Sequence, residues 1–386
     1  MTTEARSPFI SVDDHVQETP DVWTTRMSTR RWGDRIPHTE EQPDGTERWV
    51  VDGQPVDLDG VGIAGALMPD RAQEPQRWED VPAPAYQPAQ RLRVMQADGV
   101  DYSALYPMVA GVGGGTFGRI NDAEFEQDCV RAYNDWLIEE WAACSDRFIP
   151  QCIVPLYPVD AIVAEIRRAV AKGHRGVVYP AHPMFIRDLP HVANPEFEPV
   201  WSTCEELGVP LCLHAGSSPP RRAPIEAGMS GGRAKALASL IRPTTSALYV
   251  GTVLLSKVLP RHPKLKVIFA ESALGWGAGL LELADHHFHV NHADLEGYDH
   301  TPTEMFKPQC YFTGWYEPVR VHAPYIGVDN ILWSTNFPLA TSTWPATARY
   351  LDECFQGVSD ADRRRILWSN AAALYGIEQP VAAPAK

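Results

Sequence analysis

Short apolar runs, rich in β-branched residues, recur along the chain and alternate with longer amphipathic stretches. The runs lie at Phe9–Val12, Val100–Tyr106, Phe148–Val154, Gly176–Tyr179, Val209–Leu213, Val267–Ala270, Tyr311–Thr313 and Asn330–Trp333. They are apolar throughout instead of alternating, the pattern of strands buried on both faces of a parallel sheet. Between them, Arg91–Asp98, Asn121–Cys144, Val159–Lys172, Glu196–Leu207, Ser246–Leu259, the leucine-rich stretch after Glu271, Trp344–Phe355 and Asp360–Leu374 read as helices. In the second of these, Trp136 and Trp141 belong to the apolar stripe. Strand–helix alternation of this kind means a parallel sheet covered by helices. Eight strands favour an α/β fold of the (β/α)8 TIM-barrel type over an open doubly wound sheet, which would carry a glycine-rich first turn. The glycine-rich loop Gly111–Gly115 has neither dinucleotide nor phosphate-loop spacing and reads as a turn.

One stretch breaks the alternation. Residues 20–90 are rich in Pro, Asp, Gln and Arg and show no helical period. They include a hairpin, Glu47–Val51 and Gln54–Val56 around Asp52-Gly53. A segment this long without helical periodicity reads as a lid or oligomerisation arm inserted into one domain spanning 1–386, not as a domain of its own. Trp23, Trp32, Trp49 and Trp78 within it imply apolar surface to bury, over the site or against another subunit, and a homodimer is expected.

Composition narrows the function classes. The 386 residues are 44% hydrophobic and 22% charged, as in a soluble globular protein. A net charge of −15 argues against a nucleic-acid or anionic-membrane partner. No apolar run is long enough to span a bilayer. The N-terminal MTTEARSPFISVDDH lacks an export pattern, and seven cysteines without CxxC spacing read as reduced thiols, so a cytoplasmic location is expected.

Barrels of this kind place their chemistry at the carboxyl ends of the strands. Residues of ligand type fall there repeatedly: Asp13 and His15 on the first strand, His182 after the fourth, His214 on the fifth, Glu271 after the sixth and Asn336 after the eighth. Asp13 and His15 are two apart, which puts both on one face of a strand. Glu18 lies within reach if the chain turns after His15. Glu282 and His286, four apart on the helix that follows Glu271, share one helical face. Carboxylates and imidazoles together hold divalent Zn, Mn or Fe.

The pair Asp13-x-His15, LCLHAGSS around His214, HPKLKVIFAESALGW at 262–276 and ILWSTNFPLATSTWP at 331–345 resemble the metal-dependent amidohydrolase barrels related to the aminocarboxymuconate-semialdehyde and resorcylate decarboxylases. The resemblance covers residues 8–376. It implies that Asp13, His15 and His214 bind a divalent metal, assisted by a histidine on the sixth strand, with an aspartate on the eighth as ligand and base. This chain departs from that pattern. Glu271 stands in place of the histidine, Asn336 in place of the aspartate, and Leu339 where a histidine often follows. An amide cannot take a proton from water. Glu18 and Asn336 are the candidate catalytic residues. Mixed histidine and carboxylate ligation suits iron or manganese, and Asp13, His15, His182, His214, Glu271 and His286 are enough for two ions.

These departures resemble a branch of the same barrels that became nonheme diiron monooxygenases acting on coenzyme A-linked substrates, as in platensimycin and platencin diterpenoid biosynthesis. That resemblance implies two Fe ions, O2, an electron donor and hydroxylation of an unactivated carbon of an acyl-CoA-like substrate. Arg221, Arg222 and Arg233, between the fifth and sixth strands, are the candidate contacts to its phosphates, or else form a solvated basic loop. The alternative is a zinc- or manganese-dependent hydrolase or decarboxylase. A third reading keeps the barrel as a binding surface without catalysis.

Overall fold

The computed structural model describes residues 7–217, 229 and 231–380. All eight apolar runs form strands: β1 (Ile10–His15), β5 (Tyr102–Tyr106), β6 (Phe148–Ile153), β7 (Gly176–Val178), β8 (Leu211–His214), β9 (Val267–Ala270), β10 (Cys310–Gly314) and β11 (Ile331–Trp333). They pair in parallel in the order β1-β5-β6-β7-β8-β9-β10-β11. With helices between successive strands, this is the (β/α)8 barrel expected from the pattern. The strands are buried almost throughout, as parallel strands covered by helices must be. Gly176 on β7 makes room for Gln151 on β6, whose Oε1 lies 1.9 Å from where a Cβ would stand, so a larger residue requires that side chain to move.

The barrel is closed by the chain beyond β11. Asn336 N–H donates to the carbonyl of Asp13 (3.1 Å) and His15 N–H to that of Phe337 (2.6 Å). Asp14 reinforces this seam. Its carboxylate accepts from Ser103 Oγ (2.6 Å), Thr335 Oγ1 (2.6 Å) and Phe337 N–H (3.0 Å). The register of β1 against β5 slips between Ser11 and Asp14, so β1 carries one extra residue there. That bulge turns Asp14 to the seam while Asp13 and His15 face the barrel mouth.

The segment 20–90 contains a separate antiparallel sheet of β2 (His38–Glu41), β3 (Glu47–Val51) and β4 (Gln54–Pro55). The turn between β3 and β4 is the expected one, with Asp52 and Gly53 both at positive φ, as a tight hairpin requires. The strand β2 has no apolar alternation and was not expected. Trp23, Trp32 and Trp49 are buried within the chain, Trp23 packing edge-on against both Trp49 and Phe117. Their burial therefore needs no partner subunit. The segment reaches the barrel mouth through Ile63 N–H to Gln17 (2.8 Å) and Ala66 N–H to the carbonyl of Pro338 (3.0 Å).

One helix differs from expectation. Instead of starting at Ser246, it runs over Gly231–Leu255 and takes in part of the basic stretch. Ala and Leu, the strongest helix formers, are interleaved with the cations there. The expected long helix 121–144 is α-helical over Ala123–Trp136, with Asp122 capping Phe125 N–H (3.1 Å), and continues as a π-turn over Leu137–Ala142.

The seam sets a stability prediction. Replacing Asp14 by Ala leaves up to three buried donors without an acceptor and is expected to cost roughly 3 kcal/mol, since each such donor costs about 1–3 kcal/mol. Asp14→Asn, which keeps one acceptor oxygen, loses less. Urea unfolding midpoints check this; an unchanged midpoint in Asp14→Ala would mean that the two backbone bonds alone hold the seam.

Candidate metal centre

Asp13, His15 and His214 converge at the carboxyl ends of β1 and β8. Each offers a ligand atom, and these atoms lie within 4.8 Å of one another, all buried. His214 Nε2 is 3.2 Å from Asp13 Oδ1, and His15 Nε2 is 3.5 Å from the same oxygen. The Nδ1 of His214 lies 2.7 Å from the carbonyl of Ala215, which leaves Nε2 turned to the cluster. Burial, and then the neighbouring His214, hold His15 well below its usual pKa, so its imidazole is neutral. For His214 burial acts the same way but is outweighed by the charge of Asp13, and its pKa rises. Asp13 Oδ2 and His15 Nε2 make no hydrogen bond within the protein. Buried polar atoms without partners cost about 1–3 kcal/mol each and are rare without a ligand to satisfy them. Two imidazoles and a carboxylate with such atoms turned inward fit one divalent cation.

Around the cluster stand two residues with left-handed backbone. Glu271 has φ 49° and Asn336 φ 55°. Asparagine tolerates this region, whereas glutamate does so rarely, which makes Glu271 the more strained of the two. Asn336 Nδ2 donates to Thr341 Oγ1 (3.0 Å) and to Glu271 Oε1 (3.4 Å), while its Oδ1 is buried without a partner. Glu271 Oε2 is 3.9 Å from His214 Nδ1, the nitrogen facing away from Asp13, and Oε1 is 3.8 Å from Arg242 Nη1. Glu271 therefore backs the cluster instead of joining it.

A cavity of about 310 Å³ opens from this centre, with His15, Ser217, Arg119, Arg242 and Glu271 on its wall and Val56–Leu58 of the inserted segment along one side. The Oγ of Ser217 is buried without a partner. Gly113 passes so close that a Cβ there would lie 2.4 Å from Ser217 Cβ, so the loop after β5 needs glycine at that point.

Several expected site residues lie elsewhere. His286 and Glu282 are exposed on the helix Gly275–Val290, with the face they share turned to solvent, so neither reaches the mouth. The four-residue spacing was right for a shared face but carried no information about which way the face points. His182 sits apart, its Nε2 bonded to Thr252 Oγ1 (2.9 Å) and its ring against Phe185 and Tyr249. Burial lowers its pKa to about 4. Glu18 is fully buried and accepts the N–H groups of Met108, Val109 and Ala110 (3.0–3.3 Å), holding the loop after β5. Burial pushes its carboxyl up to about 7, against those bonds. Arg221 and Arg222 lie outside the described residues, and Arg233 is exposed and does not border the cavity. The cations on the cavity wall are Arg119 and Arg242; Arg242 belongs to the basic stretch between the fifth and sixth strands, from which Arg221, Arg222 and Arg233 were the expected contacts. Among the described residues one group of three ligands forms, so the two-ion set with His182 and His286 is not assembled.

This arrangement makes a direct prediction. His15→Ala and His214→Ala are each expected to fold and to lose bound manganese or zinc, measured by elemental analysis after dialysis, while His286→Ala and His182→Ala keep it. Full metal content in both His15→Ala and His214→Ala would remove the site from the β1–β8 mouth.

Comparison with known proteins corrects the expected activity. Gamma-resorcylate decarboxylase of Rhizobium sp. (strain MTP-10005) is 24% identical over 326 residues, covering 75% of this chain and 86% of the relative. The enzyme of the same name from Rhodococcus jostii (strain RHA1) is 23% identical over 310 residues, with 75% and 87% covered. Among solved structures, an amidohydrolase from Mycobacterium avium subsp. paratuberculosis K-10 superposes with a TM-score of 0.78 at 22% identity, over 97% of this chain and 100% of that one. A dihydroxybenzoic acid decarboxylase from Polaromonas sp. JS666, solved with bound manganese and 2-nitroresorcinol, gives 0.64 at 19% identity over 96% and 97%. The similar sequences named here, and several of the similar structures, are decarboxylases, and they overturn the diiron monooxygenase and oxidoreductase reading. The amidohydrolase family model matches residues 38–377, most of the barrel, and the chain belongs to the amidohydrolase family.

Proposed function

We propose that this protein is a metal-dependent decarboxylase acting on a small carboxylic acid, with manganese or zinc held by Asp13, His15 and His214. The observation that carries the reading is Arg242 on the wall of the cavity that also contains His15. A guanidinium facing metal ligands across one cavity recognises an anion and orients it. Its side chain is 48% exposed and its partner Glu271, 3.8 Å away, is beyond hydrogen-bonding distance, so Arg242 retains donors for a substrate carboxylate.

Decarboxylation breaks the bond between the carboxyl carbon and the skeleton, releases CO2 and leaves an electron pair that must take a proton. When bound, a divalent ion supplies Lewis-acid charge stabilisation. The chain's own residues do the rest. Arg242 and the hydroxyl of Ser217 bind and orient the anion. Glu271, which accepts from Asn336 and lies 3.9 Å from His214, is a carboxyl group on the wall able to carry the proton. Asn336 cannot serve as a base, because its amide does not accept a proton near neutral pH. Hydrolysis initiated from residue 336 is disfavoured, because it needs a group there to deprotonate water.

The expected result is manganese-dependent CO2 release from an ortho-hydroxylated aromatic acid, in the absence of O2. Arg242→Gln is expected to lower kcat/KM by about 10²-fold, the equivalent of one lost charge-assisted hydrogen bond of about 1.5–3 kcal/mol. If instead a panel of aromatic acids releases no CO2 from metal-loaded protein, and Asn336→Asp creates ester or amide hydrolysis of the order of 10²–10⁴-fold above the starting chain, the hydrolase reading replaces this one.

A further inference from the structure

The cavity beside the metal ligands has a neighbour. A second cavity, of about 410 Å³, is bordered by Leu240, Trp315, Tyr316 and Tyr350, and it shares Arg242 and Glu271 with the first. The Arg242–Glu271 pair thus stands as a divider with space on both sides. The two spaces differ in chemistry. The first sets His15, Ser217, Arg119 and Arg242 among aliphatic side chains such as Val56, Leu58, Met108 and Ile186, whereas the second is walled by the three aromatic rings of Trp315, Tyr316 and Tyr350 with Leu240.

Two features mark the second space as a built surface. Leu240 is 70% exposed and Tyr316 51% exposed, so large apolar side chains stand open to solvent beside a polar divider. Exposed apolar area of this kind costs about 25 cal/mol per Å² relative to being covered, and clustering it at a cavity rim is typical of ligand sites. The wall is also held in place. The buried carboxylate of Glu317 accepts N–H groups from Leu274 (2.7 Å), Trp315 (3.1 Å) and Tyr316 (3.3 Å), tying the turn after β9 to the turn after β10. Trp315 is 4% exposed and packs edge-on against Tyr316, with ring centroids 5.0 Å apart. The rings are preorganised, which reduces the entropy lost on binding.

We propose that this second compartment binds the apolar remainder of the substrate, so that the substrate is an extended aryl carboxylate of more than one ring or ring equivalent. Its carboxyl group sits at Arg242 beside the metal ligands, and its body passes the divider to lie against Trp315, Tyr316 and Tyr350. A single-ring acid occupies the first compartment and leaves these aromatic groups without a role. The assignment rests on carboxylate binding at Arg242 as described under the proposed function, and it adds a specificity surface to that site.

The test compares two probes, benzoate and biphenyl-4-carboxylate, by titration calorimetry on full-length, manganese-loaded protein. Biphenyl-4-carboxylate is expected to bind at least about 10-fold more tightly, in line with stacking contributions of about 0.5–1.5 kcal/mol per aromatic pair added to area burial. Trp315→Ala and Tyr350→Ala are each expected to bring the ratio of the two affinities close to one, and Arg242→Gln to weaken both probes. Leu240→Ala, at an exposed position, gives the same reading should Trp315→Ala fail to fold, and is expected to reduce the ratio by a few-fold. Equal affinities in the starting protein, no binding of biphenyl-4-carboxylate, or a ratio unmoved by all of the aromatic and leucine variants would overturn the assignment. CO2 release is followed separately. Loss of that activity claim with an intact affinity ratio would sink the decarboxylase reading alone, whereas CO2 release from single-ring acids with a ratio near one would sink the second compartment alone.

Discussion

Closure of the barrel and assembly of the metal ligands depend on the same strand end. The bulge in β1 sends Asp14 to the seam, where it binds Ser103, Thr335 and the N–H of Phe337, and leaves Asp13 and His15 facing the mouth. Backbone bonds from the segment after β11 to Asp13 and from His15 to Phe337 bring Asn336 to the same place. Buried Arg91 reinforces the junction, donating to the carbonyl of His15 (2.7 Å) while its guanidinium lies 4.4 Å from the ring centre of Phe337. A shift of one residue here would exchange Asp13 and Asp14 and lose closure and ligation together.

The cost of this arrangement is a set of buried polar atoms without partners: Asp13 Oδ2, His15 Nε2 and Asn336 Oδ1 cluster at one mouth. Buried carboxylates such as Glu18 and Glu317 are well supplied with donors, and against them that concentration marks the position where a ligand completes the structure. The strained backbone at Glu271 belongs to the same economy of the site. A glutamate at φ 49° persists because Asn336 and the barrel walls hold it between His214 and Arg242.

The chemistry follows from what surrounds the ligands more than from the ligands themselves. The proposed decarboxylation asks for an anion-binding cation beside the candidate ligands. Here the position expected to hold a base carries an amide, and Arg242 supplies the cation. The aromatic compartment on the far side of that cation extends the site in the direction an elongated acid would need.

Most of the architecture was legible in the chain. Eight apolar runs, each too short for a helix and apolar on both faces, specify parallel strands, and ligand-type residues at their ends specify where the mouth is. Asp13, His15 and His214 were readable because strand alternation is a period of two and leaves little choice of face. What the pattern could not carry was the direction of helical faces and the reach of long side chains. Glu282 and His286 share a face, as spacing required, but that face meets solvent because the opposite one, with Leu281 and Phe288, packs inward. Glu18 was a carboxylate of the right type at the right end of a strand, and only the path of the loop after β5 made it a clamp for backbone N–H groups. Arg242 and Leu240 on one helix, Trp315 after β10 and Tyr350 on a later helix come from elements distant in sequence. Their meeting depends on how helices and loops pack over the strand ends, a matter of long-range contacts that no local period encodes, whereas the strands and their ligands depend on local alternation, which the chain displays on its own.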